Sequence, residues 1–102
     1  MRILPEPIAF LWDQGNLDEN LKKHKVSLQE AEEVFVNEPL TIAEDHKHSS
    51  DKEIRLYALG RTKAGRKLFT AFTIRDKKIR IISIRDMSKK ERIQYGKLES
   101  NS

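Results

Sequence analysis

Hydrophobic and polar positions change their period several times along the chain, and each change marks an element. Ile8 to Trp12 is a short apolar and aromatic run behind Pro5 and Pro7, which predicts a first strand starting where proline is tolerated. From about Asn16 to His24 the period lengthens. Leu17 and Leu21 stand one helical turn apart with charged residues between them, predicting a short amphipathic helix. Ser27 followed by Glu30 is a capping-box pattern, in which each side chain satisfies a backbone N–H at a helix start. The second helix it opens places Leu28, Ala31, Val34 and Phe35 on one face and leaves Gln29, Glu30, Glu32 and Glu33 for solvent or a partner. Asn37-Glu38-Pro39 ends it, because the residue before a proline avoids the helical region.

The second half changes to strand periods. Leu40 to Ala43 predicts a brief strand, and Glu44 to Asp51 a polar connection holding His46 and His48. Strands are then expected at Glu53 to Leu59, Lys67 to Ile74 and Ile79 to Arg85, joined by short polar connections of the kind that close antiparallel hairpins. A second capping box, Ser88 with Glu91, opens a last helix to about Lys97, whose apolar contacts are expected from Ile93 and Tyr95; Glu99 to Ser102 is expected to fray. Helices first and hairpins later indicate an α+β fold: an antiparallel β-sheet meander with two N-terminal helices and one C-terminal helix. With helices on one side, the other sheet face is expected to remain an open platform.

Composition narrows this picture. A chain of 102 residues, 37% hydrophobic and 35% charged, suits one domain over 1–102 with a small core. No apolar run is long enough to span a bilayer. The start of the chain, with Arg2 its one cation before two prolines, reads as no export signal, so a cytoplasmic protein is expected. Absence of cysteine excludes disulfides, thiolate metal sites and cysteine nucleophiles. Charge is divided unevenly. Residues 1–51 carry 5 Lys/Arg against 11 Asp/Glu, net −6, whereas residues 52–102 carry 15 against 5, net +10. The later half therefore suits a polyanion and the earlier half a basic partner or solvent.

Two signatures then stand in order. The first is Phe10-Leu11-Trp12-Asp13, Asn20-Leu21-Lys22-Lys23-His24-Lys25-Val26-Ser27 and Glu30-Ala31; the second is Arg80-Ile81-Ile82-Ser83-Ile84-Arg85, Glu91-Arg92 and Tyr95. Between them lie Asp45, His48, Glu53, Arg55 and Gly60. In these residues the chain resembles the BrnT family of ribonuclease toxins of type II toxin–antitoxin systems. The resemblance runs from about Phe10 to Tyr95. Lys25 departs from it, standing where the family usually has glycine, as does Asn16, where a lysine is common. The resemblance implies a RelE-like fold, RNA cleavage without metal or other cofactor, and inhibition of translation. It also implies neutralisation by a BrnA-type DNA-binding antitoxin, whose complex would act at operator DNA.

Cleaving RNA through its own 2′-hydroxyl needs a base for that proton, cations for the phosphorane charge and an acid for the departing 5′-oxygen. Arginine suits the middle role, since its planar donors match phosphate oxygens at any relevant pH. Arg55, Arg80 and Arg85 are the catalytic candidates, with His48 and Glu53 for proton transfer and Tyr95, Arg61 and Arg66 for RNA binding. Each arginine competes with a plain role as a strand-edge charge, and Glu91 and Tyr95 with roles in the last helix. His24 reads more readily as a cation at a helix C-terminus. In a regular strand Arg80 lies with Ile82 and Ile84 and Arg85 with Ile81 and Ser83. The two then cannot line one site unless a bulge intervenes. His46 and His48 lie close to Asp45 and Asp51 but lack the spacing of a metal site, and none is expected. The competing function is a noncatalytic module that binds RNA or antitoxin.

Overall fold

The structure, a computed structural model, describes residues 4–101, with the backbone alone at Asn16. Arg2 and Ser102 lie outside the described residues. In chain order the elements are β1 (Phe10–Leu11), α1 (Gln14–His24), α2 (Leu28–Val34), β2 (Thr41–Glu44), β3 (Leu56–Arg61), β4 (Lys67–Arg75), β5 (Lys78–Asp86) and α3 (Lys89–Ser100). They form one sheet in the order β1-β5-β4-β3-β2. Neighbours from β2 to β5 pair antiparallel, and β1 adds itself parallel to β5, with Phe10 beside Ile79 and Leu11 beside Arg80. The mixed α+β class agrees with the sequence reading. No described helix is long and apolar enough to cross a membrane.

Sequence logic accounts for the element ends. Both capping boxes form: Ser27 Oγ accepts from the Glu30 N–H while Glu30 accepts from the Ser27 N–H, and Ser88 and Glu91 do the same for α3. α1 ends at His24, and the residue after it, Lys25, has a left-handed φ of 56°. That conformation favours glycine, so a lysine there carries a steric cost. Asp76 and Lys77, with φ of 53° and 60°, make the tight two-residue turn between β4 and β5. β3 starts three residues later than expected. Glu53 to Arg55 instead belong to the preceding loop, where Ser49 Oγ accepts from the Arg55 N–H at 2.9 Å and Ser50 N–H donates to the Glu53 carbonyl at 2.8 Å.

The main core lies between one sheet face and the first two helices: Ala31 and Val34 from α2 and Phe35 at its C-terminal cap meet Leu56, Ala58, Leu68, Phe72, Ile79, Ile81 and Ile84. The approach of α2 to β3 is close enough that a Cβ on Gly60 would stand 2.8 Å from Val34 Cγ1. Leu28, expected on the buried face, is exposed. β1 is so short that β5 runs on past it, and the Ile84 N–H donates to Asn20 Oδ1 of α1, a buried side chain.

The opposite sheet face corrects the expectation of one-sided packing. α3 crosses onto it, burying Tyr95 against Leu59, Phe69 and Met87, so only part of that face stays open. Ile93, expected to pack, points to solvent with 58% exposure. Nor does the tail fray at Glu99. Its carboxylate meets Arg61 Nη1 at 3.3 Å and Lys67 Nζ at 2.9 Å, and the helix continues to Ser100.

Candidate functional site

Strand register decides which side chains share the open part of the outer face. Between β4 and β5 the pairing runs Phe69 with Arg85, Thr70 with Ile84 and Ala71 with Ser83, then shifts to Phe72 with Ile81 and Thr73 with Arg80. Ile82 is therefore the extra residue of a β-bulge. Phe69 and Thr73 are four apart on β4 and face the same way, so their partners Arg85 and Arg80 also share a face. Both hydrophobic neighbours of Arg80, Ile79 and Ile81, consequently point into the core.

Three rows follow across the outer face. Leu59, Phe69 and Arg85 lie under or beside α3; Tyr57, Ala71 and Ser83 come next; Arg55, Thr73 and Arg80 form the third. Arg55 precedes Leu56, the partner of Phe72, and so extends the ladder beside Thr73. Thr73 Oγ1 donates to the Ile54 carbonyl at 2.9 Å, which fixes that extension. Arg55 and Arg80 thus flank Thr73 from strands on either side, their backbones about 10 Å apart. The middle row has small residues at its centre. Tyr57 stacks on Phe69 at 5.7 Å between ring centroids.

The arginines are held very differently. Arg85 makes a two-pronged pair with Glu91, Nη1 to Oε1 at 2.8 Å and Nη2 to Oε2 at 3.1 Å, and lies 4.1 Å over the Phe69 ring. Burial works to raise the Glu91 pKa, but Arg85 and the Ser88 N–H outweigh it and hold the carboxyl below its ordinary value. Arg80 Nη2 stands 3.9 Å from Asp13 Oδ2, and Arg55 Nε 3.6 Å from Glu53 Oε1. Both are ion pairs beyond hydrogen-bond length, which leaves N–H donors able to turn to a phosphate. Glu53 also reaches Arg75 Nη2 at 3.1 Å through its other oxygen.

His48 Nδ1 lies 2.8 Å from Asp45 Oδ2, and this bond holds the Asp45 carboxyl below its ordinary pKa. A carboxylate on Nδ1 orients the ring and leaves Nε2, in a side chain that is 59% exposed, as the nitrogen able to exchange a proton. The loop carrying it is stitched to Arg55, because the Asp45 N–H donates to the Arg55 carbonyl at 2.8 Å and Ser49 Oγ holds the Arg55 backbone. His46 pairs separately with Glu44, and among the described residues no three His, Asp or Glu side chains gather as metal ligands.

Two of the residues expected to bind RNA do other work. Tyr95 is wholly buried and its hydroxyl donates to the Pro39 carbonyl, so its ring cannot stack on a base. Arg66 donates from Nε and Nη2 to Asp86 at 2.8 and 3.1 Å, from Nη1 to the Lys25 carbonyl at 2.7 Å and to Glu30, and from Nη2 to the His24 carbonyl at 2.8 Å. All five of its N–H groups are engaged in tying α1, α2 and the end of β5 together. Arg61 lies between: Nε donates to the Glu38 carbonyl and Nη1 to Glu99, with its side chain 42% exposed. Tyr57, Arg75 and Lys78 were absent from the candidate residues. Period-two alternation from Arg55 reaches Tyr57, whereas no local pattern in the sequence announces that α3 buries Tyr95.

A sheet backed by two helices and partly covered by a third, with Arg55 and Arg80 on the uncovered part, defines a small basic α+β protein. The family model of the ribonuclease toxin BrnT of type II toxin–antitoxin systems matches residues 12–91, and the chain belongs to that family. The crystal structure of the Brucella abortus ribonuclease toxin BrnT has a similar fold. Its TM-score is 0.59 at 19% sequence identity, over 80% of this chain and 99% of that one. No curated protein sequence matches the chain.

Proposed function

We propose that this chain is a metal-independent endoribonuclease that cleaves RNA at the open end of the outer sheet face. The observation that carries the reading is the placement of Arg55 and Arg80 on either side of Thr73, each with a salt bridge too long to occupy its donors. A phosphodiester between them receives charge-assisted hydrogen bonds from both sides, which grow stronger as negative charge develops on the phosphorane. His48, oriented by Asp45, takes the 2′-hydroxyl proton; the 2′-oxygen attacks phosphorus, and the 5′-oxygen leaves with a proton from solvent on this exposed face. Tyr57 offers a base a stacking surface in the adjacent row. Arg85 bounds the site on its α3 side by fixing that helix through Glu91, whereas Arg61, at the far end of β3 and bonded to Glu38 and Glu99, lies outside it.

The partner in this reading is a BrnA-type antitoxin that masks the basic face, with operator DNA reached through the complex. A RelE-like architecture, inhibition of translation and a cytoplasmic location complete it. The test is incubation of the purified chain with RNA in the presence of a chelator, with product ends mapped. Products ending in 2′,3′-cyclic phosphate and 5′-hydroxyl are expected, with activity lost in Arg80→Ala and His48→Ala. Cleavage that requires an added divalent ion would refute the metal-free mechanism. Salt-sensitive RNA binding without any product would replace the enzyme by a binding module.

A further inference from the structure

One step beyond the Arg55–Thr73–Arg80 row, the same sheet face carries another pair of cations. Arg75 follows Thr73 by two residues on β4 and is paired with Lys78 of β5. Both therefore lie on the outer face, about 7 Å from the first row along the strands. The tight turn through Asp76 and Lys77 fixes that pairing, so the two cations leave the backbone side by side. An extended single strand tracks such a surface by laying successive phosphates on successive basic rows. Glu53 connects the rows. One oxygen stands 3.1 Å from Arg75 Nη2 and the other 3.6 Å from Arg55 Nε, so a single carboxylate bridges the two guanidinium groups. The Glu53 carboxylate borders a cleft of about 390 Å³ whose walls include Lys52, Thr73 and Arg75. Lys78 is exposed and has no carboxylate partner among the described residues.

We propose, building on the phosphate-binding reading above, that Arg75 and Lys78 form a second phosphate subsite beside the scissile one, and that the Glu53 carboxylate stands in for the nucleic-acid anion in the free protein. RNA entering the site displaces Glu53 from Arg75 and Arg55. Glu53 then acts as a competitor for the site rather than as its base, and the preferred ligand has at least two consecutive phosphodiesters.

Binding of 2′-deoxy oligonucleotides, which this chemistry cannot cleave, tests the subsite independently of catalysis. Anisotropy titrations would compare strands with one, two and three phosphodiesters at several salt concentrations. The wild-type chain is expected to gain affinity between one and two phosphodiesters. The double substitution Arg75→Ala with Lys78→Ala should abolish that gain and flatten the log–log salt dependence for the longer strands by about 0.7. Glu53→Gln should tighten binding several-fold. A variant that keeps the wild-type gain, a wild-type chain with no gain at all, or a Glu53→Gln chain that binds no better would each overturn the proposal. Arg80→Ala separates the two readings: if it leaves affinity unchanged while the double variant weakens it, the scissile-phosphate assignment fails and the second subsite stands.

Discussion

Arg85 and Arg80 leave the same strand on the same face, yet their surroundings differ in kind. Arg85 meets α3, where the carboxylate that caps the helix is also its two-pronged partner, and Phe69 supplies a ring beneath it. Arg80 lies on the uncovered side of the bulge, with Asp13 at 3.9 Å as its ion-pair contact. One guanidinium is built into the fold, and the other is held loosely enough to change partners. Residue type and strand position alone do not separate these cases; what packs over each residue does.

The widest separation between the covered and open regions should come from Tyr95. Truncating this fully buried side chain removes the centre of the small core under α3 and its bond to Pro39. Tyr95→Ala should cost about 3–5 kcal/mol in unfolding free energy, measured by denaturant titration. A variant of unchanged stability with weakened RNA binding would restore Tyr95 as a ligand and break the comparison.

On the open side the order of effects reverses. Arg80→Ala should lower cleavage by about 10²–10³, the scale for removing one donor to a developing oxyanion. Its unfolding free energy should fall by no more than about 1 kcal/mol, because the long contact to Asp13 contributes little and the loss is the packing of a side chain that is 25% exposed. An Arg80→Ala chain that unfolds early and cleaves normally would move Arg80 into the structural group.

These contrasts show what was legible in the sequence. Local signals survived: both capping boxes, the hairpin strands and the α+β class follow from patterns a few residues long. The positions that failed depend on distant packing. Ile93 carried the helical spacing of a buried residue, but α3 sits on the sheet by its Tyr95 face. Period-two alternation set Arg80 and Arg85 on opposite faces, and one extra residue, Ile82, reversed that. Many residues of the two signatures proved to be architectural. Trp12 Nε1–H donates to Glu32 at 2.9 Å, Asn20 caps the β5 edge, and Glu30 and Glu91 cap helices while holding arginines. Strong signatures therefore identified the family more readily than they located its chemistry.

Smaller effects test the fold-committed arginines. Arg85→Ala removes a partly exposed two-pronged pair and a ring contact, and should cost about 1–2 kcal/mol. Its pH dependence gives a second reading. The Glu91 carboxyl is held below its ordinary value of 4.5, so its stabilising contribution is present above that pH and is lost as acid protonates it in the folded protein. Arg85→Ala removes a principal cause of that lowering. The variant should be less stable than wild type at neutral pH, and the difference should shrink as pH falls below 4.5. A gap that stays constant through this range would show that Arg85 acts through Phe69 rather than through Glu91.

The smallest expected change concerns the backbone that Arg66 grips. Lys25 holds a left-handed conformation, unfavourable for a side chain with a Cβ, while its carbonyl accepts from Arg66 Nη1 at 2.7 Å. Lys25→Gly keeps that carbonyl and relieves the steric cost, at the expense of greater freedom in the unfolded chain. A net gain of about 1 kcal/mol is expected, a rise of roughly 4–8 °C in Tm for a domain of this size. In an Arg66→Ala background the same glycine should gain less, because nothing then holds the segment to its left-handed path. Equal gains in both backgrounds would mean that the conformation at Lys25 is set by the end of α1 alone, and Arg66 would lose its place as the clamp.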